Sequence, residues 1–428
     1  MSAFQSVTPA RTRAPTRHPL LALAAGWLVT RAAMLALLAH NTLPLLGRGA
    51  VAREVWKLYQ HWYVVLSHGA FPAHDTLWQY PPGAGAVLLS PALLPGLTYF
   101  QAFVALTLVT DAVVTAALAR AGTRPGRSLR GAGYWTLGLP LLLHIPLARY
   151  DVQVTALAVL SLLTLTRFPR TGAALAALGA LVKVWPALVL LGTPPGRATR
   201  SAWGWAAVTG GVSFALFAAL FRNPFAFARQ QGGRGVQIES FGGTALALAT
   251  HAGWPGRVRY RYGALEFTGQ HVAAVAHLSL ALTAAALALL VLWRLRARRR
   301  TPATPYDAAL SAVLLFTVTS RVISPQYMVW LLGLAAVCLT SRATTQRPVA
   351  ALVAVASAVS VVAYPTLYHE VAACTWTGCA LMLTRNGLLA SAAVTSFVRL
   401  WRSTKLVPLP GEPETGSNRL PHGALSPS

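Results

Sequence analysis

Residues 270–293 read QHVAAVAHLSLALTAAALALLVLW, and RLRARRR follows at once over 294–300. The run carries no Asp, Glu, Lys or Arg. At 1.5 Å per residue it is long enough for a hydrocarbon core of about 30 Å. The arginine cluster behind it suits an anchor facing an anionic cytoplasmic leaflet. Working outward, comparable apolar segments lie near 19–45, 83–97, 99–119, 132–148, 151–167, 171–192, 203–222, 307–320, 324–341, 349–365 and 377–397. The expected fold is all-α: a polytopic membrane bundle of about 12 transmembrane helices.

Composition agrees. Hydrophobic residues make up 55% of the 428 and charged residues 11%, far below the roughly 25% charge of soluble domains. Lys and Arg number 36 against 10 acids, a formal charge of +26. The cations cluster between apolar runs, at Arg11, Arg13 and Arg17, at 294–300, and at Arg399, Arg402 and Lys405. That pattern marks topogenic anchors, with membrane lipids and no nucleic acid as the partner. The run from Pro19 to His40 is too long for a signal-peptide core and reads as an uncleaved first helix, with Arg31 snorkelling or facing the bundle.

Three regions follow: a basic cytoplasmic start over 1–18, a membrane domain over 19–397, and a cytoplasmic tail over 398–428, basic and then disordered. Two segments, about 48–82 and 223–269, are too long for turns, and their aromatic, His and Gly content suits folded surface at the interface. With both facing outward, the basic clusters at 294–300, 342–347 and 399–405 face the cytoplasm. Alternating helices then put the Arg120–Arg130 cluster outside and Asp151 inside, against the charge rule. Making 83–97 re-entrant repairs this locally but reverses the second long segment. No two-fold repeat of the transporter kind is visible.

With so few acids, each one in or near the membrane is a candidate for chemistry. Glu54 and Asp75 lie in the first long segment, before Tyr80-Pro81-Pro82. His61, His68 and His74 do not show the i, i+4 spacing of a helical metal pair, so no metal site is expected. Cys338 reads as packing; Cys374 and Cys379 read as a local disulfide or as two small unpaired residues. Lys183, in LGALVKVWPALVLL, interrupts an apolar helix and is either a phosphate ligand or a snorkelling cation. Arg149 and Asp151, in HIPLARYDVQ, form a structural ion pair at a helix start or hold a headgroup and an acceptor hydroxyl. GGRGVQIESFGG groups Arg234, Gln237 and Glu239, and SRVISPQYMVWLL groups Arg321, Ser324, Gln326 and Tyr327. Asp111 and Asp307 read as helix-boundary charges, and Glu412 and Glu414 belong to the tail.

Four phrases in this order resemble the C-type membrane glycosyltransferases of glycosyltransferase family 87: the stretch from Gly69 to Gly83 ending in WQYPPG, RYD followed by GALVKVWP, RGVQIES, and SRVISPQYMVW. The resemblance implies C-type architecture with long extracytoplasmic loops. It also implies transfer of a sugar, often mannose, from a polyprenyl-phosphate carrier to a lipid or glycan acceptor outside the cytoplasm, in a bacterial cell membrane. It implies a base in the first outer loop, where family members usually carry Asp and this chain has Glu54; Asp75 is the other choice. A carboxylate takes the acceptor proton as C1 is attacked. Cations stabilise the departing phosphate, with Arg149, Lys183, Arg234 and Arg321 as candidates and no cofactor or metal required. Tyr80, Asp151, Gln237, Glu239, Gln326 and Tyr327 complete the expected substrate contacts. The alternative reading is a secondary transporter or a lipid-linked sugar flippase.

Overall fold

The computed structural model describes residues 17–405. Arg11 and Arg13, the expected disordered tail from Pro408, and Glu412 and Glu414 lie outside the described residues. The described chain is mostly helical, with one small three-stranded sheet inside the second long segment. Among the described residues six helices are long and apolar enough to cross a membrane: His18–Ala39, Tyr99–Gly122, Arg197–Leu220, Val272–Arg296, Arg347–Thr366 and Trp376–Ser403. Their starts are locally encoded in places. Thr98 and Gln101 form a capping box at Tyr99, and Thr375 accepts from the Gly378 amide, each satisfying amides that the helix leaves free.

The long helices sit at the perimeter; Arg197–Leu220 buries only Ala202. Between them lie shorter helices, among them Asp151–Leu165, Pro169–Val182 and Tyr327–Leu339. At 1.5 Å per residue the last rises only about 20 Å, some 10 Å short of the hydrocarbon thickness. Short inner helices ringed by long ones leave a depression at one end of the bundle. Close approach fixes the inner helices. A Cβ on Gly131 would lie 2.3 Å from the Ala336 carbonyl, and one on Gly333 2.3 Å from Thr155 Cγ2. Small residues of this kind let membrane helices meet backbone to backbone.

Contacts assign each connection to one end. The segment 44–82 and the segment 223–269 share an end, where Gln79 Nε2 donates to the Tyr262 carbonyl and Gln231 Nε2 donates to the Gln79 carbonyl. The arginine-rich connections share the other. Arg127 bridges Ser341, Arg294 donates to the Thr193 carbonyl, and Asp307 accepts from Thr344 and Thr345. The Arg120–Arg130 cluster thus joins 294–300 and 342–347, and the conflict seen in the sequence disappears for two reasons. The expected span 83–97 is a seven-residue helix, Gly83–Leu89, followed by a short 3-10 turn over Ser90–Leu93. The expected span 171–192 is two limbs. Helix Pro169–Val182 ends where Lys183 turns extended, and a 3-10 helix, Trp185–Gly192, runs back to the arginine-rich end.

One further expectation changes, and the choice left open for the cysteines is resolved to the unpaired reading. Asp111 is no boundary charge: it is buried within Tyr99–Gly122 and bonded to Arg31 at 2.7 and 2.9 Å, so Arg31 faces the bundle. Cys338, Cys374 and Cys379 are all free and buried.

Candidate functional site

The depression holds a cavity of about 800 Å³, within the usual range for small-molecule sites. Part of its wall comes from one continuous helical stretch starting at Ala50. Ala50, Arg53, Glu54, Lys57 and Leu58 line the cavity at helical spacing. Glu54 opens a π-helical turn, Glu54–Tyr59, before the α-helix resumes over Gln60–Ser67; such wide turns are frequent at functional sites. Glu54 Oε2 is 3.1 Å from Arg149 Nη2, and its side chain keeps 27% of its surface exposed. Arg149 is nearly buried and donates from Nη1 to the Val51 and Ala148 carbonyls at 2.9 and 2.7 Å. It therefore ties Glu54 to the backbone below it.

Asp75 is placed differently. It does not line the cavity. Its Oδ2 accepts from Trp62 Nε1 at 2.7 Å and its Oδ1 from the Leu77 amide at 2.8 Å. It holds the turn that leads into Tyr80-Pro81-Pro82, and Tyr80 and Pro81 do line the cavity.

The second long segment and the SRVISPQY turn build another part of the wall together. Strand β1 (Val236–Gln237) pairs with β3 (Ala264–Thr268), and β2 (Arg257–Arg261) pairs with the far edge of β3. That register sets Glu266 opposite Gln237. Glu266 holds the Gly235 amide at 3.0 Å and Arg234 Nε at 3.1 Å, and Arg234 also donates to Gln79 Oε1. The Gln237 amide donates to the Arg321 carbonyl at 3.1 Å, and Gln237 Oε1 accepts from the Ile323 amide at 2.8 Å. Arg321 in turn donates to the carbonyls of Arg234 and Gln231, and makes no ion pair among the described residues. Ser324, Gln326 and Tyr327 line the same cavity.

Lys183 neither snorkels nor stands free. Its Nζ is 2.6 Å from Asp151 Oδ1, and the same oxygen accepts from Trp330 Nε1 at 2.6 Å. Tyr150 and Trp330 sit 4.7 and 5.0 Å from the ammonium, a caged cation held by ring faces. Asp151 is buried behind Lys183 and does not line the cavity. Arg149 and Asp151 are thus not paired with each other.

Two carboxylates line the cavity, Glu54 and Glu239, against Arg53, Lys57, Arg149, Lys183, Arg234 and Arg321. Low-dielectric walls bearing an excess of one sign concentrate ligands of the other, so the site favours an anion. Glu239 is buried, and that burial pushes its carboxyl up to about 7 against the opposing pull of Arg385. Among the described residues no group of His, Cys, Asp and Glu has the arrangement of a metal site.

The structure adds residues that the sequence does not single out. Glu266 positions Arg234. Arg385 and Asn386, on the last long helix, bond the Glu239 carbonyl. Arg385 carries the same signal as Lys183, one cation inside an apolar run, and the intramembrane rule applies to both.

A search of curated proteins finds no match. Residues 78–325, more than half of the chain, match the family model of glycosyltransferase family 87. The matched stretch starts after Glu54 and ends before Arg385.

Proposed function

Because the chain belongs to glycosyltransferase family 87 and is a membrane glycosyltransferase, we propose that it moves a hexose, mannose first among the candidates, from a polyprenyl-phosphate carrier to a lipid or glycan acceptor. In this reading Glu54 is the base. As the acceptor oxygen attacks C1, its proton passes to Glu54 and the C1–O bond to phosphate breaks on the opposite face. The bonding pair leaves with the phosphate, so the product is inverted at C1. Arg321, with Arg234 beside it, takes up the charge that develops on the phosphate. Arg149 holds Glu54 and the backbone below it, and Lys183 is caged against Asp151, whereas Arg234 meets its own acid partner, Glu266, through Nε and keeps its outer nitrogens on the cavity side of that pair. The chemistry asked of these residues needs no metal.

The observation that supports this reading is one cavity holding a part-exposed carboxylate, Glu54, together with an arginine, Arg321, that has no acid partner among the described residues. Arg321→Gln is expected to lower kcat for transfer from polyprenyl-phosphate mannose by about 10²–10³-fold, and Arg321→Lys to recover part of the loss. Single-turnover assays with purified protein in nanodiscs measure both. No transfer by the wild-type protein with any lipid or glycan acceptor would return the chain to the transporter class.

The proposed orientation puts the cavity on the extracytoplasmic side of a bacterial cytoplasmic membrane, with a C-type bundle crossing about twelve times. Residues 83–93 re-enter, and Trp185–Gly192 counts as a pass of its own. The charge rule supports this, since the connections at the other end carry most of the arginines. An impermeant maleimide added to intact cells is expected to label Thr76→Cys and to leave Arg124→Cys unlabelled until the cells are opened. The reverse pattern would invert the protein.

A further inference from the structure

We propose that Glu239 reads hydroxyl groups of the transferred hexose, with Arg385 as the residue that positions it. This rests on the transferase reading above. Glu239 lines the cavity with 3% of its side chain exposed. Its Oε2 accepts from Gln237 Nε2 at 3.0 Å. Its Oε1 has no hydrogen-bond partner among the described residues and stands 3.8 Å from Arg385 Nη1. Arg385 is fully buried, donates from Nη2 to the Glu239 carbonyl, and has Nε and Nη1 unsatisfied among the described residues. Asn386 Nδ2 reaches the same carbonyl at 3.3 Å and Thr244 Oγ1 at 2.8 Å.

An ion pair built only for stability would close to hydrogen-bond distance and satisfy its own atoms, because buried polar groups left unbonded are costly. This pair stays open at the cavity wall. Ionised, the Glu239 carboxyl suits hydroxyl groups and repels a phosphate. The two ends of a glycosyl phosphate are therefore sorted, the anion toward Arg321 and Arg234 and the ring toward Glu239. Glu239 follows directly on the strand whose Gln237 amide is bonded to the Arg321 carbonyl, so the carboxyl group and the Arg321 turn belong to one hydrogen-bonded unit of the cavity wall. Tyr364 and Tyr368 line the same cavity and offer ring faces. Arg385 and Asn386 lie outside the residues matched by the family model, so this support for Glu239 comes from another part of the chain.

The test uses the full-length protein in nanodiscs with polyprenyl-phosphate mannose and its 2-, 3-, 4- and 6-monodeoxy analogues. A site built to bond a hydroxyl rejects the analogue lacking it strongly. Wild type is therefore expected to prefer the parent over at least one analogue by about 100-fold or more in kcat/KM. Glu239→Gln is expected to shrink discrimination at that position about tenfold or more while leaving the other positions unchanged, and Arg385→Lys to give the same pattern. An equal loss for all five donors in Glu239→Gln would make the residue structural and overturn the inference. Absence of transfer from the parent donor by wild type would overturn both this inference and the transferase reading. Should Arg385→Lys fail to fold, the Glu239→Gln comparison decides alone.

Discussion

Glu54→Gln is expected to lower the rate of sugar transfer by about 10²–10⁴-fold, with donor affinity within a few-fold of wild type. Gln keeps the shape and can still accept from Arg149, but it has no lone pair basic enough to take the acceptor proton. The loss therefore falls on kcat and leaves KM for the donor nearly unchanged, since in the proposed reading the phosphate contacts lie elsewhere in the cavity. Glu54→Asp withdraws the carboxylate by one methylene from both Arg149 and the acceptor, and is expected to retain part of the activity. Asp75→Asn is the contrasting variant. Asp75 bonds Trp62 and the Leu77 amide away from the cavity, so kcat is expected to stay within tenfold of wild type. Initial rates with radiolabelled polyprenyl-phosphate mannose compare the three variants. A large kcat loss in Asp75→Asn with an active Glu54→Gln would exchange the two assignments.

Breaking the Arg31–Asp111 pair is expected to have the largest effect on stability. Asp111 accepts from Arg31 Nε and Nη2, from Trp27 Nε1 at 2.6 Å and from Trp135 Nε1 at 2.7 Å. Arg31 Nη1 also donates to the Thr136 carbonyl at 2.7 Å. This one carboxylate fastens three membrane helices, His18–Ala39, Tyr99–Gly122 and Arg130–Gly138. Both side chains are essentially buried. Removing either partner alone strands a charge in a low-dielectric interior, which costs about 3–5 kcal/mol. Asp111→Leu and Arg31→Met are each expected to lower the apparent Tm in detergent sharply and to reduce the yield of folded protein. The double variant Arg31→Met/Asp111→Leu should lose less than either single change, because no unpaired charge remains. A double variant as unstable as the sum of the two would show that the residues act independently. Neither residue lines the cavity, so the transfer rate per folded molecule should be close to wild type.

Much of the lining of the candidate site was legible in the sequence because its phrases are short and polar inside an apolar chain. WQYPPG, RGVQIES and SRVISPQY do converge. The Gln237 amide reaches the Arg321 carbonyl, and Arg234 reaches Gln79. Glu54, Tyr80, Arg149, Lys183, Arg234, Gln237, Glu239, Arg321, Gln326 and Tyr327 all line one cavity. Pairing was not legible. Arg149 and Asp151 look like partners because they are neighbours in the chain, yet each finds its counter-charge far away, at Glu54 and Lys183. Asp111 reads as a boundary charge until its partner eighty residues earlier is seen. Hydropathy also cannot distinguish a span from a segment that turns back. Residues 83–93 are as apolar as a crossing helix, but Pro91 and Pro95 follow closely and the helix stops after Leu89. Lys183 stands out as a buried cation, whereas its role as the break between two limbs appears only in its extended backbone. Those two local events together bring the arginine-rich connections of the described residues to one end of the bundle.

In the proposed mechanism one cavity holds the carrier phosphate at Arg321 and Arg234 while Glu54 is open to the reacting carbon. A structure of the full-length protein with polyprenyl-phosphate mannose bound tests it most directly. Phosphate oxygens are expected within hydrogen-bond reach of Arg321 and Arg234, with C1 turned toward the Glu54 carboxylate and room for one hydroxyl between them. A phosphate seated on Arg53 and Lys57 with C1 turned away from Glu54, or a carrier bound outside the cavity, would contradict it.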